Sequence, residues 1–238
     1  MMDKIQNLIG ELMKFTKAES VFLYGSRTRE GDFYPDSDYE IGVLMKKENY
    51  VERTKIKNRF DIKDINIFPF RYENFVAGEP DTPFQKSIYM RDIIGTGKTL
   101  AGEKVVENLQ PPAISLLDVI QDVRFNLGRA YDATISCRTG EKTTAAYYFS
   151  KSCLFGTRSY IIFKKNLFLT SYKNILETSE KLDLQLYQDL PAYAFEFREG
   201  KGGVDSRNLF LNISYLNKLV EREIVAEFEK EGNKILVE

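Results

Sequence analysis

The sequence predicts an α+β protein: a mixed sheet with flanking helices, followed by a C-terminal helical bundle. Three observations carry this. Short apolar runs broken by turn residues alternate with one helical pattern over the first hundred residues. After the double proline at 111–112 the periodicity becomes helical throughout. No internal repeat or low-complexity segment interrupts either half. The boundary is therefore set near 111, giving domains of residues 1–110 and 111–238.

Taken in order, Ile5, Leu8, Ile9, Leu12 and Phe15 fall on one helical face. "SVFLY" (20–24) is a short apolar strand that breaks at Gly25. "DYEIGVLM" (38–45) alternates acidic or small residues with apolar ones, as a half-buried strand does. "DIKDINIFPF" (61–70) reads as a second long strand stopped by Pro69. "IYMRDIIGTGKTLAG" (88–102) reads as a strand, a Gly-rich turn and another extended piece. Beyond the prolines, residues 114–127, 143–163 and 208–232 have helical spacing, with a fourth helix around 172–190. Gly200, Gly202 and Gly203 mark the loop before the last helix.

Composition excludes several chemistries. The chain of 238 residues contains no histidine, so acid–base work falls to Asp, Glu, Lys, Tyr or Cys, and histidine-based zinc sites are ruled out. A formal net charge of −1 gives no general attraction to long nucleic acid or an anionic membrane. Cys137 and Cys153 are too few for a disulfide framework and read as buried thiols of a cytosolic protein. The first twelve residues carry acids where a secretory signal needs an apolar core, and no segment approaches eighteen apolar residues. A cytoplasmic protein is expected.

The stretch richest in chemistry is "YGSRTREGDFYPDSDYEIGV" (24–43). Asp38 and Glu40, two apart at the start of a strand, leave the same face, and Gly42 is expected to leave room beside them. Two carboxylates held this way invite a hard divalent cation, Mg²⁺ above all. Gly25-Ser26 ends the preceding strand in a tight turn whose N–H groups and hydroxyl can face a phosphate, and Arg27 and Arg29 add charge for the same anion. A carboxylate-held metal beside a phosphate-binding turn suits phosphoryl or nucleotidyl transfer. An EF-hand is excluded, since Ile41 takes the position of its glycine and Lys47 that of its glutamate. "GTGKT" (95–99) mimics a phosphate loop, but Asp92 replaces the required first glycine, so it reads as a turn.

Tyr24-Gly25-Ser26, eleven residues, then Asp38-Tyr39-Glu40-Ile41 resembles the signature of the DNA polymerase β-like nucleotidyltransferase superfamily. Within it the chain is most similar to the kanamycin (aminoglycoside) nucleotidyltransferase family, which also uses Asp-x-Glu and repeats the Asp64–Asn66 spacing of "KDINIF". The likeness covers about residues 20–70 and is one of layout beyond 111.

The resemblance implies a set of roles. Asp38 and Glu40 hold Mg²⁺ on the triphosphate of ATP or another nucleotide, with Asp64 as third carboxylate and Asp61 as its rival. Gly25, Ser26 and Arg29 bind the β- and γ-phosphates. A hydroxyl of a small acceptor, such as an aminoglycoside, attacks the α-phosphorus in line. The family's base aligns with Phe125 and its lysine with Arg129, leaving Asp122, with Asp118 a further turn back, as the catalytic carboxylate, or no base at all. The family's homodimers imply the same here, with Tyr147, Tyr148, Phe149 and Phe155 lining an interface or acceptor cleft unless they are core. Protein nucleotidylation of the toxin–antitoxin type and a non-catalytic nucleotide-binding module are the competing functions. Nucleic-acid extension is disfavoured by size and charge.

Overall fold

The structure is a computed structural model that describes residues 2–29, 32, 37–80 and 86–238. It divides into two compact units, Met1–Pro112 and Ala113–Glu238. Among the described residues no helix is long and apolar enough to cross a membrane.

The first unit contains α1 (Met2–Thr16), β1 (Ser20–Tyr24), a 3₁₀ turn (Ser26–Thr28), β2 (Tyr39–Met45), α2 (Arg53–Arg59), β3 (Ile65–Arg71), α3 (Tyr72–Val76), α4 (Lys86–Thr96), β4 (Lys98–Gly102) and α5 (Val105–Asn108). The strands form one mixed sheet in the order β3-β2-β1-β4, with β2 and β3 parallel and the other pairs antiparallel. Strand alternation sorts its side chains into two cores. Val21, Ile41, Val43, Met45 and Ile67 pack with Leu8, Ile9 and Leu12 of α1 and Ile56 of α2. Phe22, Tyr24, Leu44 and Phe70 face the other way, against Phe75 of α3, Met90 and Ile93 of α4, and Val105 and Val106 of α5. Asp38 and Glu40 belong by alternation to this second face, at its open end.

Three sequence expectations are corrected here. Pro69 lies inside β3 and does not stop it; β3 is an edge strand, where a missing N–H costs no ladder bond. The segment read as a strand from residue 88 is the helix α4, because Met90 and Ile93 meet the sheet at helical spacing while Arg91, also buried, donates its Nε to the Pro112 carbonyl. Gly42 does not open space for the site. The ring of its cross-strand partner Phe22 fills that space, with Cζ only 2.1 Å from where a Cβ would stand.

The second unit contains β5 (Ile114–Ser115), α6 (Leu116–Arg138), α7 (Lys142–Lys165), α8 (Tyr172–Ser179), α9 (Leu190–Arg198), α10 (Ser206–Ser214), a π-helical segment (Tyr215–Glu221), α11 (Arg222–Glu231) and β6 (Ile235–Val237). Residues 139–141 alone join α6 to α7, so the two long helices form a hairpin. Asp118 is the N3 member of a capping box: its Oδ2 accepts from the Ser115 N–H at 2.8 Å, and the Asp118 N–H donates to Ser115 Oγ. The single helix expected over 208–232 is broken into α10, the π segment and α11, and Gly156 of α7 admits Leu216 where a Cβ would not fit. β6, unforeseen in the sequence, pairs antiparallel with β5. Of the aromatic residues on α7, Phe149 is fully buried core whereas Tyr147 is 48% exposed. Cys137 and Cys153 are both free; Cys153 is buried as expected, whereas Cys137 is only partly so.

Candidate active site

The site is assembled at the ends of β1 and β2. Tyr24 and Glu40 are cross-strand partners, so the carboxylate of Glu40 rises beside the turn that follows Tyr24. Gly25 there has φ 79° and ψ −153°, a conformation essentially reserved for glycine. A Cβ at Gly25 would stand 2.0 Å from Glu40 Oε2. The glycine is thus required by its backbone, and a side chain there would also push the Glu40 carboxylate aside.

The turn is tied on every side. The Gly25 carbonyl accepts from the Thr28 N–H at 3.2 Å and the Thr28 hydroxyl at 2.7 Å, and the Ser26 carbonyl accepts from the Arg29 N–H. The Gly25 N–H donates to Thr96 Oγ1 at 3.0 Å, so this donor, expected to face phosphate, is used within the protein. Ser26, half-buried, opens the 3₁₀ turn. Arg29 is mostly buried, with Nε 3.0 Å from Asp32 and Nη1 3.4 Å from Asp92. Arg27 donates from Nε to the Ser37 carbonyl at 2.7 Å and lies over the Tyr39 ring, which ties the far end of the loop to the turn. Asp36 falls outside the described residues.

Asp38 is exposed and Glu40 half-buried. On the neighbouring strand Asn66 pairs in register with Glu40 and donates its Nδ2 to Asp38 Oδ2 at 2.7 Å. Asp64 sits next to Asp38 along the same ladder: its carbonyl accepts from the Tyr39 N–H at 2.8 Å, and its backbone is left-handed, with φ 64°. Asp61 lies farther out, in the turn before β3, and both side chains are exposed. Among the described residues no three His, Cys, Asp or Glu side chains form a group that could hold a metal ion.

Tyr89 and Arg53, which sequence reasoning missed, lie near the site. The Tyr24 and Tyr89 hydroxyls are 3.0 Å apart. Burial first, and the nearby charge of Glu40 among the lesser causes, push both phenols upward, so both remain neutral donors. Arg53 lies over the Phe68 ring on the β3 flank. The sequence signal for Tyr89 and Thr96 was obscured by reading the first as part of a strand and the second as part of a Gly-rich turn, where the structure has one helix.

In the helical unit Asp122 is 7% exposed. Its Oδ2 accepts from the Ser159 hydroxyl of α7 at 2.6 Å and from Asn126 Nδ2 at 3.3 Å. Arg129 donates to Asn126 Oδ1 and stacks on Phe125. Burial is the main influence on the Arg129 guanidinium and acts against its charge, while Asp122 supports it.

No protein-family model matches the chain, and no curated protein sequence matches it. Among solved structures it is similar to the spectinomycin adenyltransferase AAD(9) from Enterococcus faecialis, determined with ATP and spectinomycin, at 15% identity and a TM-score of 0.59. That match covers 92% of this chain and 98% of the other. The toxin–antitoxin pair MntA–HpeT gives 19% identity over 42% of this chain and 74% of that one, with a TM-score of 0.29, a score at which no shared fold is established. The likeness to the adenyltransferase is one of architecture: this chain has the nucleotidyltransferase fold, with a helical C-terminal part.

Proposed function

We propose that the chain is a Mg²⁺-dependent nucleotidyltransferase that moves AMP from ATP to a hydroxyl of a small acceptor of the aminoglycoside kind. The observation that carries this reading is the Glu40 carboxylate packed against the Gly25–Ser26 turn, with Asp38 on the same face of β2. The donor set suits Mg²⁺, which is usually held by one or two carboxylates with substrate phosphates and waters completing its shell. A third protein carboxylate is then not needed, although the position of Asp64 beside Asp38 favours it over Asp61 for a supporting role. When bound, the ion supplies charge neutralisation at the phosphates.

The chain's own groups define the rest. Ser26 and the turn it opens take the β- and γ-phosphates, while Arg29, held by Asp32 and Asp92, fixes the end of that turn. The acceptor hydroxyl oxygen forms its bond to the α-phosphorus as the bond to the bridging oxygen of pyrophosphate breaks, in line, and the hydroxyl proton passes to water. Pyrophosphate leaves on the β1 side, where the turn lies, so the acceptor approaches from the β3 flank. The burial and pairing of Asp122 support the alternative in which α6 supplies no catalytic base. The adenyltransferase with the similar fold was determined with ATP and spectinomycin, which supports both the nucleotide and the acceptor class. A homodimer in the cytoplasm belongs to the same reading.

The test is incubation of the full chain with labelled ATP, Mg²⁺ and a panel of aminoglycosides together with spectinomycin. Acceptor-dependent pyrophosphate release, lost on chelation of the metal, is the expected result. Tight ATP binding with no acceptor ever labelled would overturn it, and label appearing on protein would point to protein nucleotidylation.

A further inference from the structure

The Gly95–Thr99 segment that mimics a phosphate loop is the joint between α4 and β4, a helix-to-strand order opposite to the one a phosphate loop needs. One of its residues nonetheless acts on the candidate phosphate turn. Thr96 is 5% exposed, and its hydroxyl donates to the Asp92 carbonyl at 2.6 Å. A threonine in a helix often makes that bond to the residue four back, and it needs no functional explanation. The second bond does. The same oxygen accepts the Gly25 N–H at 3.0 Å, across 71 residues of chain. Asp92, one helical turn before Thr96, also meets Arg29 at 3.4 Å through its carboxylate. Two residues on one face of α4 therefore hold both ends of the turn: the N–H of its first residue and the guanidinium of its last. The turn also lies against Glu40 Oε2, and the Thr96 hydroxyl fixes Gly25 in a positive-φ conformation that only glycine adopts readily.

We propose that Thr96, supported by Asp92, is a positioning residue that sets the Gly25–Arg29 turn in its triphosphate-binding shape, so that nucleotide affinity depends on a hydroxyl outside the nucleotide site. This rests on the reading of that turn as the triphosphate end. The effect is specific to the β- and γ-phosphates, because the turn is what the hydroxyl holds.

The experiment measures equilibrium binding of a non-hydrolysable ATP analogue and of AMP, each with Mg²⁺, to the full chain and to its Thr96→Val and Thr96→Ser variants. Valine keeps the shape and removes the hydroxyl, leaving a buried N–H unpaired. The expected loss is about tenfold in analogue affinity, the low end of such a penalty, with AMP affinity within about twofold. Serine restores analogue binding to within about twofold, since it keeps the oxygen. Equal losses for both ligands, or analogue affinity indifferent to Thr96→Val, would overturn the inference alone. A wild-type chain that binds no triphosphate overturns the nucleotidyltransferase reading and this inference with it. Should the valine variant not fold, amide exchange in the wild type decides: a Gly25 N–H no better protected than that of Ser26 is inconsistent with the brace.

Discussion

In the sheet unit, Asp38 stands exposed at the mouth of β2, with one amide, that of Asn66, on its Oδ2. In the helical unit, Asp122 lies buried between α6 and α7, with the Ser159 hydroxyl and the Asn126 amide on its Oδ2 and the Arg129 charge nearby. Both are aspartates beside an asparagine. What separates them is solvation. A carboxylate that is to receive a cation must remain wet and only partly hydrogen-bonded, because neutralising it within the protein removes the reason to bind. A carboxylate taken out of water must be satisfied by its neighbours, and it then works as a joint between helices. The same contrast explains why Glu40, next to a glycine turn, belongs to the site while Asp118, in a capping box, belongs to the helix it starts.

The contrast can be broken most directly at Asp38. Asp38→Asn is expected to lower acceptor-dependent pyrophosphate release about a thousandfold, as loss of a major charge-stabilising group does, with thermal unfolding unchanged. Gly25→Ala should come next. A positive-φ backbone costs about 1–3 kcal/mol and displacement of the Glu40 carboxylate removes ATP-analogue binding, read by denaturant unfolding and calorimetric titration. Asp122→Ala removes a charged acceptor from the buried Ser159 hydroxyl and Asn126 amide, leaving them only the Phe155 and residue-122 carbonyls, and should cost about 2 kcal/mol of stability. Asp122→Asn, which keeps a hydrogen-bonding side chain in place, should retain turnover to within about threefold; abolished turnover with an unchanged melt would instead make Asp122 the catalytic base. The smallest effect is expected at Ser115→Ala, about 1 kcal/mol in unfolding and none in turnover, since it only uncaps α6.

Much of this was legible in the sequence where the signal was local. The pattern from Tyr24 to Ile41 located β1, the turn and β2, because side-chain alternation and the glycine requirement are properties of a few neighbouring residues. Of the helices after residue 111, α6 and α7 followed from periodicity, whereas the helix expected around 172–190 ends at Ser179, α9 (Leu190–Arg198) was not foreseen, and the helix expected over 208–232 is interrupted by the π segment, where Leu216 packs against Gly156. The misread α4 had an apolar run too short to separate helix from strand, and its real face was defined only by the sheet it covers. Gly42 was read for the wrong partner because the Phe22 ring comes from another strand.

By itself the sequence determined which groups are present for chemistry: a glycine turn, a same-face carboxylate pair and no histidine. Only the tertiary structure decided which of the charged and polar groups are occupied. Thr96 reaching Gly25 across 71 residues, and Ser159 reaching Asp122 across 37, are set by the packing of elements distant in the chain. Hydrogen-bond partnership and desolvation are properties of such packing, and no local pattern encodes them.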